Sequence, residues 1–412
     1  MLKTGLLNIV LRLLSSVSRL GLFLGLARYL SVEDLGRFGL VLATIQIFIL
    51  AAGVEFHQFA TRSLVDSNES RWPSQLRDQA LVHGAAYALL LPVSCVLFIQ
   101  GWMTASAVLW LYPLLLVEHV CQELQRLLVT RSRPLRANCV LFFRSGLWVW
   151  AVVVIMAAWP PSRDLRLVWA AWFVGGLAGV WIGWRGMSDL HWGGVFSKPI
   201  DVAWIREGMR VAAPYIVAVV AYRGITTIDR YLLAGIAGEA ATGVYVLFFG
   251  IVSTLLVLAE SGVVTIVAPT LIRSARGRDP VTYRSTMARV TNGIVALVCV
   301  VSAGLAIFMS PVLVLTGRPV FLANLHVCWI LLAATVVATL GLIPHLALYA
   351  ARRDRPIVLS AVAGLIAATA SHLVLIPGYG ATGAAVATLI GMTVVSGSKA
   401  ALARRHVSRS LA

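Results

Sequence analysis

Apolar residues run in stretches of about 20 along the whole 412-residue chain, separated by short polar breaks rich in arginine. The pattern predicts twelve membrane-crossing helices, at 6–28, 36–60, 80–101, 105–127, 138–159, 165–184, 209–234, 242–271, 286–309, 322–350, 357–376 and 381–402. In hydrocarbon every backbone polar group must find its partner within the segment, so such runs must be helices. A membrane barrel would need short strands of alternating polarity, and that alternation is absent. The first run leads straight into a second and shows no small-residue cleavage site, so it is expected to be a retained helix.

The breaks between runs alternate in charge. Arg62, Arg71 and Arg77 follow the second run, Arg126, Arg131, Arg133 and Arg136 the fourth, and Arg185, Lys198, Arg206 and Arg210 the sixth. Arg273, Arg276, Arg278, Arg284 and Arg289 follow the eighth, Arg352, Arg353 and Arg355 the tenth, and Lys3 with the tail residues Lys399, Arg404, Arg405 and Arg409 fall on the same side. The opposite side holds only Arg28, Arg37, Arg163, Arg166 and Arg318. Basic residues gather in cytoplasmic loops, which puts both termini in the cytoplasm. The longest connection, 186–205, contains Gly193-Gly194 and Lys198-Pro199 and lies at mid-chain. It divides an N-terminal lobe, 1–185, from a C-terminal lobe, 206–412, each of six helices, and is expected to lie along the membrane surface. Trp102, Trp110, Tyr112, Trp159 and Trp192 fall near span ends, as interfacial anchors do.

Composition agrees: 59% of residues are hydrophobic and 12% charged, with a mean hydropathy of +0.87. Soluble domains carry about 25% charged residues, so a soluble fold is excluded. The net charge of +17 sits in the short loops, so it does not point to nucleic acid. Five cysteines, Cys95, Cys121, Cys139, Cys299 and Cys328, fall inside apolar runs without metal-ligand spacing. They are expected to be small buried packing residues.

One outline occurs twice. Arg28-Tyr29-Leu30 is followed by Glu33, Asp34 and Gly36-Arg37-Phe38; Arg230-Tyr231-Leu232 is followed by a Gly/Ala-rich loop and Gly243-Val244-Tyr245. The echo points to two related halves that each begin with the same helical hairpin.

Ionisable groups inside spans cost a few kcal/mol each and by default face a cavity or a partner. Asn8, Arg12, Ser15, Ser16 and Arg19 share one face of the first helix; Arg223, Thr226, Thr227 and Arg230 form a similar stripe on the seventh, with Tyr222 beside it. Two opposed guanidinium stripes would make an anion site, because the planar fork of arginine matches phosphate oxygens. Arg12 and Arg230 have a second reading, as side chains reaching the interface or capping a helix end. Arg19 and Arg223, further from the ends, are read as cavity residues. On the fourth helix Glu118, Gln122 and Gln125 share a face. Glu118 is either part of a polar helix end, where Glu123 pairs with Arg126, or a protonatable group or sugar ligand in the cavity. Glu260 could bind a coupling cation or pair with an arginine such as Arg144. Asp229 is expected to pair with Arg230. His326, His345 and His372 share no ligand spacing and are expected to be single hydrogen-bonded histidines. No P-loop, GxSxG, HExxH or Asp-x-Asp element is present, so ATP-driven transport and hydrolase chemistry are not expected.

Four elements in order carry a family resemblance: the Ala27–Phe38 hairpin, Ile228-Asp229-Arg230-Tyr231-Leu232 with Gly243-Val244-Tyr245, the Ser310–Gly317 turn, and Ile376-Pro377-Gly378-Tyr379-Gly380-Ala381-Thr382-Gly383-Ala384-Ala385. The chain resembles the polysaccharide flippases of the multidrug/oligosaccharidyl-lipid/polysaccharide exporter superfamily, which move O-antigen and exopolysaccharide units. The resemblance implies an all-α membrane protein of two six-helix lobes around a central cavity that opens alternately to each side. It implies an undecaprenyl-diphosphate-linked oligosaccharide as cargo, turned from the cytoplasmic to the periplasmic leaflet. It also implies no cofactor and no enzymatic step, a bacterial inner membrane with its lipid around the chain, and a polysaccharide polymerase and assembly machinery as partners; H+ or Na+ as a coupling ion and movement without one both stay open.

Two other readings stand beside it. A multidrug antiporter of the same superfamily would use acids to hold cations, whereas here intramembrane arginines at least match the acids. A membrane polymerase or ligase would carry a large outer loop, and the outer loops here are short.

Overall fold

A computed structural model describes residues 2–277 and 279–407; Arg278 and the residues after Val407 lie outside them. Among the described residues there is no strand, and ten helical stretches are long and apolar enough to cross a membrane. The chain divides into two units. The first comprises 1–30 and 40–220, the second 31–39 and 221–412.

In the first unit α1 (Leu2–Tyr29), α5 (Ala105–Thr130), α6 (Pro134–Phe142), α7 (Trp148–Ala158) and α8 (Leu165–Arg185) pack together. Between α6 and α7 the chain makes a π-turn, Phe143–Leu147, so the fifth span is one helix with a wide turn at Arg144. Caps start these helices where the sequence offers them: the Thr104 hydroxyl accepts from Ala107 N at the head of α5, and Asp164 from Arg166 N at the head of α8. Gly175, Gly179 and Gly183 recur every four residues along α8, on a face lying against α5 and the fifth span. A Cβ on Gly179 would stand 2.9 Å from Cys121 Sγ and 3.5 Å from Arg144 Cβ. Without a hydrophobic driving force between helices in lipid, close approach over small residues is what holds such a bundle.

The second span ends earlier than its hydropathy predicts. Helix α2 (Val32–Gly53) stops where Val54 and Glu55 adopt left-handed φ of 49° and 52°, and a separate α3 (His57–Asp66) follows. Helix α4 (Trp72–Ile99) begins a full two turns before the expected 80, because its first turns bind the mid-chain connection. Arg77 donates to the carbonyls of Val195, Lys198 and Pro199 at 2.5, 2.6 and 3.0 Å, and Asp78 accepts from Asp201 N at 3.1 Å. Arg131 and Arg133 both hold Asp189, each at 2.7 Å. The expected linker is thus fastened to the first unit.

The second unit contains α9 (Val202–Val252) from residue 221, α10 (Thr254–Ala259), α11 (Thr265–Arg276), α12 (Pro280–Val314), α13 (Pro319–Ala323), α14 (Leu325–Leu340), α15 (Leu342–Ala350) and α16 (Asp354–Val407). Helices α9 and α16 are each two helices joined at a break. Gly238 (φ 86°) and Gly380 (φ 51°) supply backbone that a side-chain-bearing residue rarely adopts. The halves of α16 fold back on each other, with Gly391 against Ala368 and Gly364. A second π-turn, Glu260–Val264, separates α10 from α11 inside the expected eighth span.

The first turns of α2 belong to this unit and bring the two copies of the repeated outline together. Gly36 lies against the backbone of Glu239 and Gly243, Gly243 against the carbonyl of Val32, and Arg37 reaches Glu239 at 2.7 Å.

Two expectations are corrected. Cys95 and Cys299 are exposed and Cys139 half-buried, so only Cys121 and Cys328 serve as buried packing residues. An apolar run in a membrane protein turns one face to lipid, so apolar context does not mean burial inside the protein. Lys399, counted among the tail charges, is 7% exposed, and its Nζ lies 5.4 Å from the centre of the Tyr222 ring.

Candidate functional site

A cavity of about 540 Å³ opens in the first unit, lined by Arg19 of α1, Gln46 of α2, Glu118, Gln122, Gln125, Arg126 and Val129 of α5, and Arg144 of the π-turn. Seven of these eight residues are polar, inside helices otherwise built for lipid. Their exclusion from hydrocarbon costs nothing if water or a polar ligand fills the space.

Glu118 fixes the geometry. Its Oε1 accepts from Trp172 Nε1 at 2.7 Å, and its Oε2 lies 3.1 Å from Arg144 Nη1. The two side chains are 7% and 12% exposed. The pair is electrostatic rather than aligned for hydrogen bonding, and it leaves Arg144 Nε and Nη1 buried without an acceptor. A buried donor without an acceptor loses the hydrogen bond it had in water, typically about 1–3 kcal/mol. An anion in the cavity would supply the missing acceptor. The sequence offered Glu260 as one partner for Arg144; its carboxylate partner is Glu118. The wide π-turn presents the Arg144 side chain, and such turns recur at functional sites. Trp148 braces it, donating to the Arg144 carbonyl at 2.8 Å and stacking on Trp172 at 6.1 Å and 7°.

Arg12, on the same helical stripe as Arg19, is exposed and donates instead to Asn138 Oδ1 at 3.2 Å, while Asn138 donates to Asn8 at 2.8 Å. The hydroxyls of Ser15 and Ser16 turn back onto carbonyls of their own helix.

In the second unit the stripe splits in the same way. Arg223 is exposed, and the Thr226 and Thr227 hydroxyls both donate to its carbonyl. Arg230 is buried, curled onto the Thr226 carbonyl and over the Phe249 ring at 4.5 Å, with Asp229 3.6 Å away. Asp229 is fully buried and accepts from Tyr245 Oη at 2.6 Å; that hydroxyl also meets Thr388 Oγ1 at 2.9 Å. His372 lies 3.4 Å from Thr388 and so joins this network, whereas His326 meets Thr382 at 2.8 Å and His345 stacks on Tyr349. Glu260 is exposed at the start of its π-turn, within electrostatic reach of Arg223 and Tyr222.

Sequence reasoning missed one cluster altogether. His83 and His119 have ring centres 4.6 Å apart, and His57 lies near them, close to Glu123 and Arg126. The three histidines come from three different helices, so no local spacing marks them. Among the described residues no group of three His, Cys, Asp or Glu side chains is arranged to hold a metal ion.

The polysaccharide biosynthesis protein family model matches residues 1–275. No curated protein matches the chain. Among solved structures, the inward-facing conformation of a multidrug resistance MATE family transporter of the MOP superfamily matches at a TM-score of 0.76 and 12% identity, covering 98% of both chains. The lipid II flippase MurJ, in its inward closed conformation, matches at 0.71 and 11%, covering 98% of this chain and 89% of that one. An outward-facing MATE transporter matches at 0.61 and 13% identity, covering 98% of this chain and 94% of that one. At these identities the likeness is one of fold. With two thirds of its length matched by the family model, the chain belongs to the polysaccharide biosynthesis protein family, on the fold of the MOP superfamily transporters.

Proposed function

We propose that this protein is a flippase that carries a polyprenyl-diphosphate-linked oligosaccharide, an O-antigen or exopolysaccharide repeat unit, from the cytoplasmic to the periplasmic leaflet by alternating access. The observation that carries the reading is that Arg144, paired electrostatically with Glu118, keeps two buried guanidinium nitrogens without a hydrogen-bond acceptor in a polar cavity shared with Arg19 and Arg126. A sugar head group cannot cross hydrocarbon unaided, because each unpaired polar group costs several kcal/mol. Three guanidiniums suit the diphosphate, and Gln46, Gln122 and Gln125 offer both donors and acceptors to sugar hydroxyls. Arg223, exposed on the second unit with Tyr222 beside it, is retained as a further contact. Asp229 and Arg230, buried against each other and Tyr245, are assigned a structural role.

The ten apolar stretches, with the breaks at Gly238 and Gly380, are read as twelve spans in two six-helix lobes, 1–185 and 206–412, with 186–205 on the cytoplasmic side. An inside-negative potential favours outward movement of an anion by about 2.3 kcal/mol per charge per 100 mV. A proton or sodium ion could add to this drive, and the product would pass to polymerising machinery at the outer leaflet. The MATE likeness supports a cation antiporter on fold alone; the basic cavity favours the anionic cargo.

The test is transbilayer movement of a fluorescent prenyl-diphosphate sugar in liposomes containing the purified protein. Movement faster than in empty liposomes, lost in an Arg19→Ala, Arg144→Ala variant of unchanged abundance, is expected. No movement of any prenyl-linked glycan, with efflux of a cationic dye, would replace the flippase by the antiporter.

A further inference from the structure

Beside the cavity, the end of α2, the start of α3, α4 and α5 enclose three histidines that the proposed function does not use. His119 Nδ1 meets Tyr87 Oη at 2.7 Å, and its ring lies 4.6 Å from that of His83. His119 and His83 are 2% and 8% exposed, and the Nε2 atom of each is buried with no hydrogen-bond partner. His119 Nε2 is 3.9 Å from Glu123 Oε1. That same oxygen holds Arg126 Nη1, while Oε2 accepts from Gln79 at 2.8 Å. Glu55 stands 3.9 Å from His57 Nε2 on the third side. Two consecutive non-glycine residues, Val54 and Glu55, are held in left-handed backbone to place Glu55 and His57 there. Such backbone in a β-branched residue is strained and gathers at functional sites.

The charged and titratable groups facing this space are therefore His57, His83, His119, Tyr87, Glu55, Glu123 and Arg126. Among the described residues Glu123 is the carboxylate in contact with Arg126, and Arg126 also lines the anion cavity. With the histidines neutral, Glu123 holds Arg126. A proton on His119 makes both ring nitrogens donors, one to Tyr87 Oη and the other towards Glu123 Oε1. Arg126 then loses its hold on that oxygen, and its guanidinium is available to an anion in the cavity.

We propose that the His57–His83–His119 cluster is a proton-binding site linked through Glu123 and Arg126 to anion binding in the neighbouring cavity. The proposal rests on the anionic-cargo reading and adds its linkage partner. A proton and an anionic cargo bind cooperatively: each raises the affinity for the other by the same factor. Cargo binding therefore takes up a proton in the range where the cluster titrates.

The experiment is calorimetric titration of the purified protein with a short-chain prenyl-diphosphate sugar between pH 8 and pH 4.5. This probe is a diphosphate diester, so it lacks the second phosphate ionisation near pH 6 of a monoester. Affinity is expected to rise about tenfold as pH falls, within the range usual for coupled sites. Buffers of different ionisation enthalpy should register net proton uptake. In the His83→Gln, His119→Gln variant the pH slope and the proton uptake should vanish, and affinity should stay at the wild-type pH 8 value. Glu123→Gln should act in the opposite sense, binding at pH 8 as tightly as the wild type does at pH 4.5. A pH slope unchanged in the histidine variant, or a loss of affinity in Glu123→Gln, would remove the linkage while leaving the anionic cargo in place. Absence of binding at every pH would remove both.

Discussion

A Cβ added to Gly36 would stand 3.1 Å from the amide nitrogen of Gly243 and would overlap the carbonyl of Glu239. These two glycines occupy equivalent places in the repeated outline, and each is the point where the other's helix comes closest. Gly36→Ala and Gly243→Ala should each destabilise the second unit by about 1–3 kcal/mol, the usual cost of overpacking. Thermal unfolding in detergent measures this; unchanged melting of both variants would mean that the two helices can separate without loss.

Removing the carboxylate beside Arg144 tests whether that guanidinium is held ready for an anion. Glu118→Gln leaves a largely buried positive charge unpaired, a change that costs about 3–5 kcal/mol in fully buried pairs. The melting temperature of this variant should fall in chloride and recover more than the wild type's when sulfate is added. Arg144→Lys should not reproduce wild-type anion binding, because a point charge lacks the planar fork.

The buried Asp229 depends on Tyr245. Tyr245→Phe removes a 2.6 Å hydrogen bond to a carboxylate with no solvent access. A loss of about 1.5–3 kcal/mol is expected, as for hydrogen bonds to charged groups. Thr388→Val, which touches the hydroxyl but not the carboxylate, should cost less. Equal losses would show that the network, not the Asp229 contact, sets the stability.

Hydrogen bonds from Arg131 and Arg133 hold the Asp189 carboxyl well below the usual carboxylate range. A depressed folded value contributes stability that is present above the unfolded pKa of about 3.9 and is lost as pH falls through the folded value. The fastening of segment 186–201 should therefore be constant from pH 8 to about pH 4 and weaken only in stronger acid. Amide hydrogen exchange over that segment checks this. Asp189→Asn should raise exchange there at pH 7, modestly, since exposed ion pairs contribute little.

Hydropathy located the helices well because the bilayer dictates length and polarity span by span. It missed the early end of α2 at Gly53 and the early start of α4 at Trp72, since both depend on what the polar turns grip: Glu55 and His57 in one case, Val195 to Asp201 in the other. Helical periodicity placed Glu118, Gln122 and Gln125 on one face, and they line one cavity. It could not pair Glu118 with Arg144, which come from different helices and meet only once the bundle is packed. Lys399 looked like a loop charge because it stands close to Arg404 and Arg405, yet the helix carries it inward to Tyr222.

Trp148 and Trp172 lie nearly parallel, and the second donates to the carboxylate that orients Arg144. Two indoles at 6.1 Å couple their electronic transitions, so this protein carries a built-in optical reporter at the wall of its cavity. Any occupant that draws Arg144 away from Glu118 alters the field on both indoles, through the Glu118 carboxylate on Trp172 and through Arg144 itself on Trp148. The near-ultraviolet dichroism of this pair would then follow loading and release in real time, with no label attached to protein or cargo.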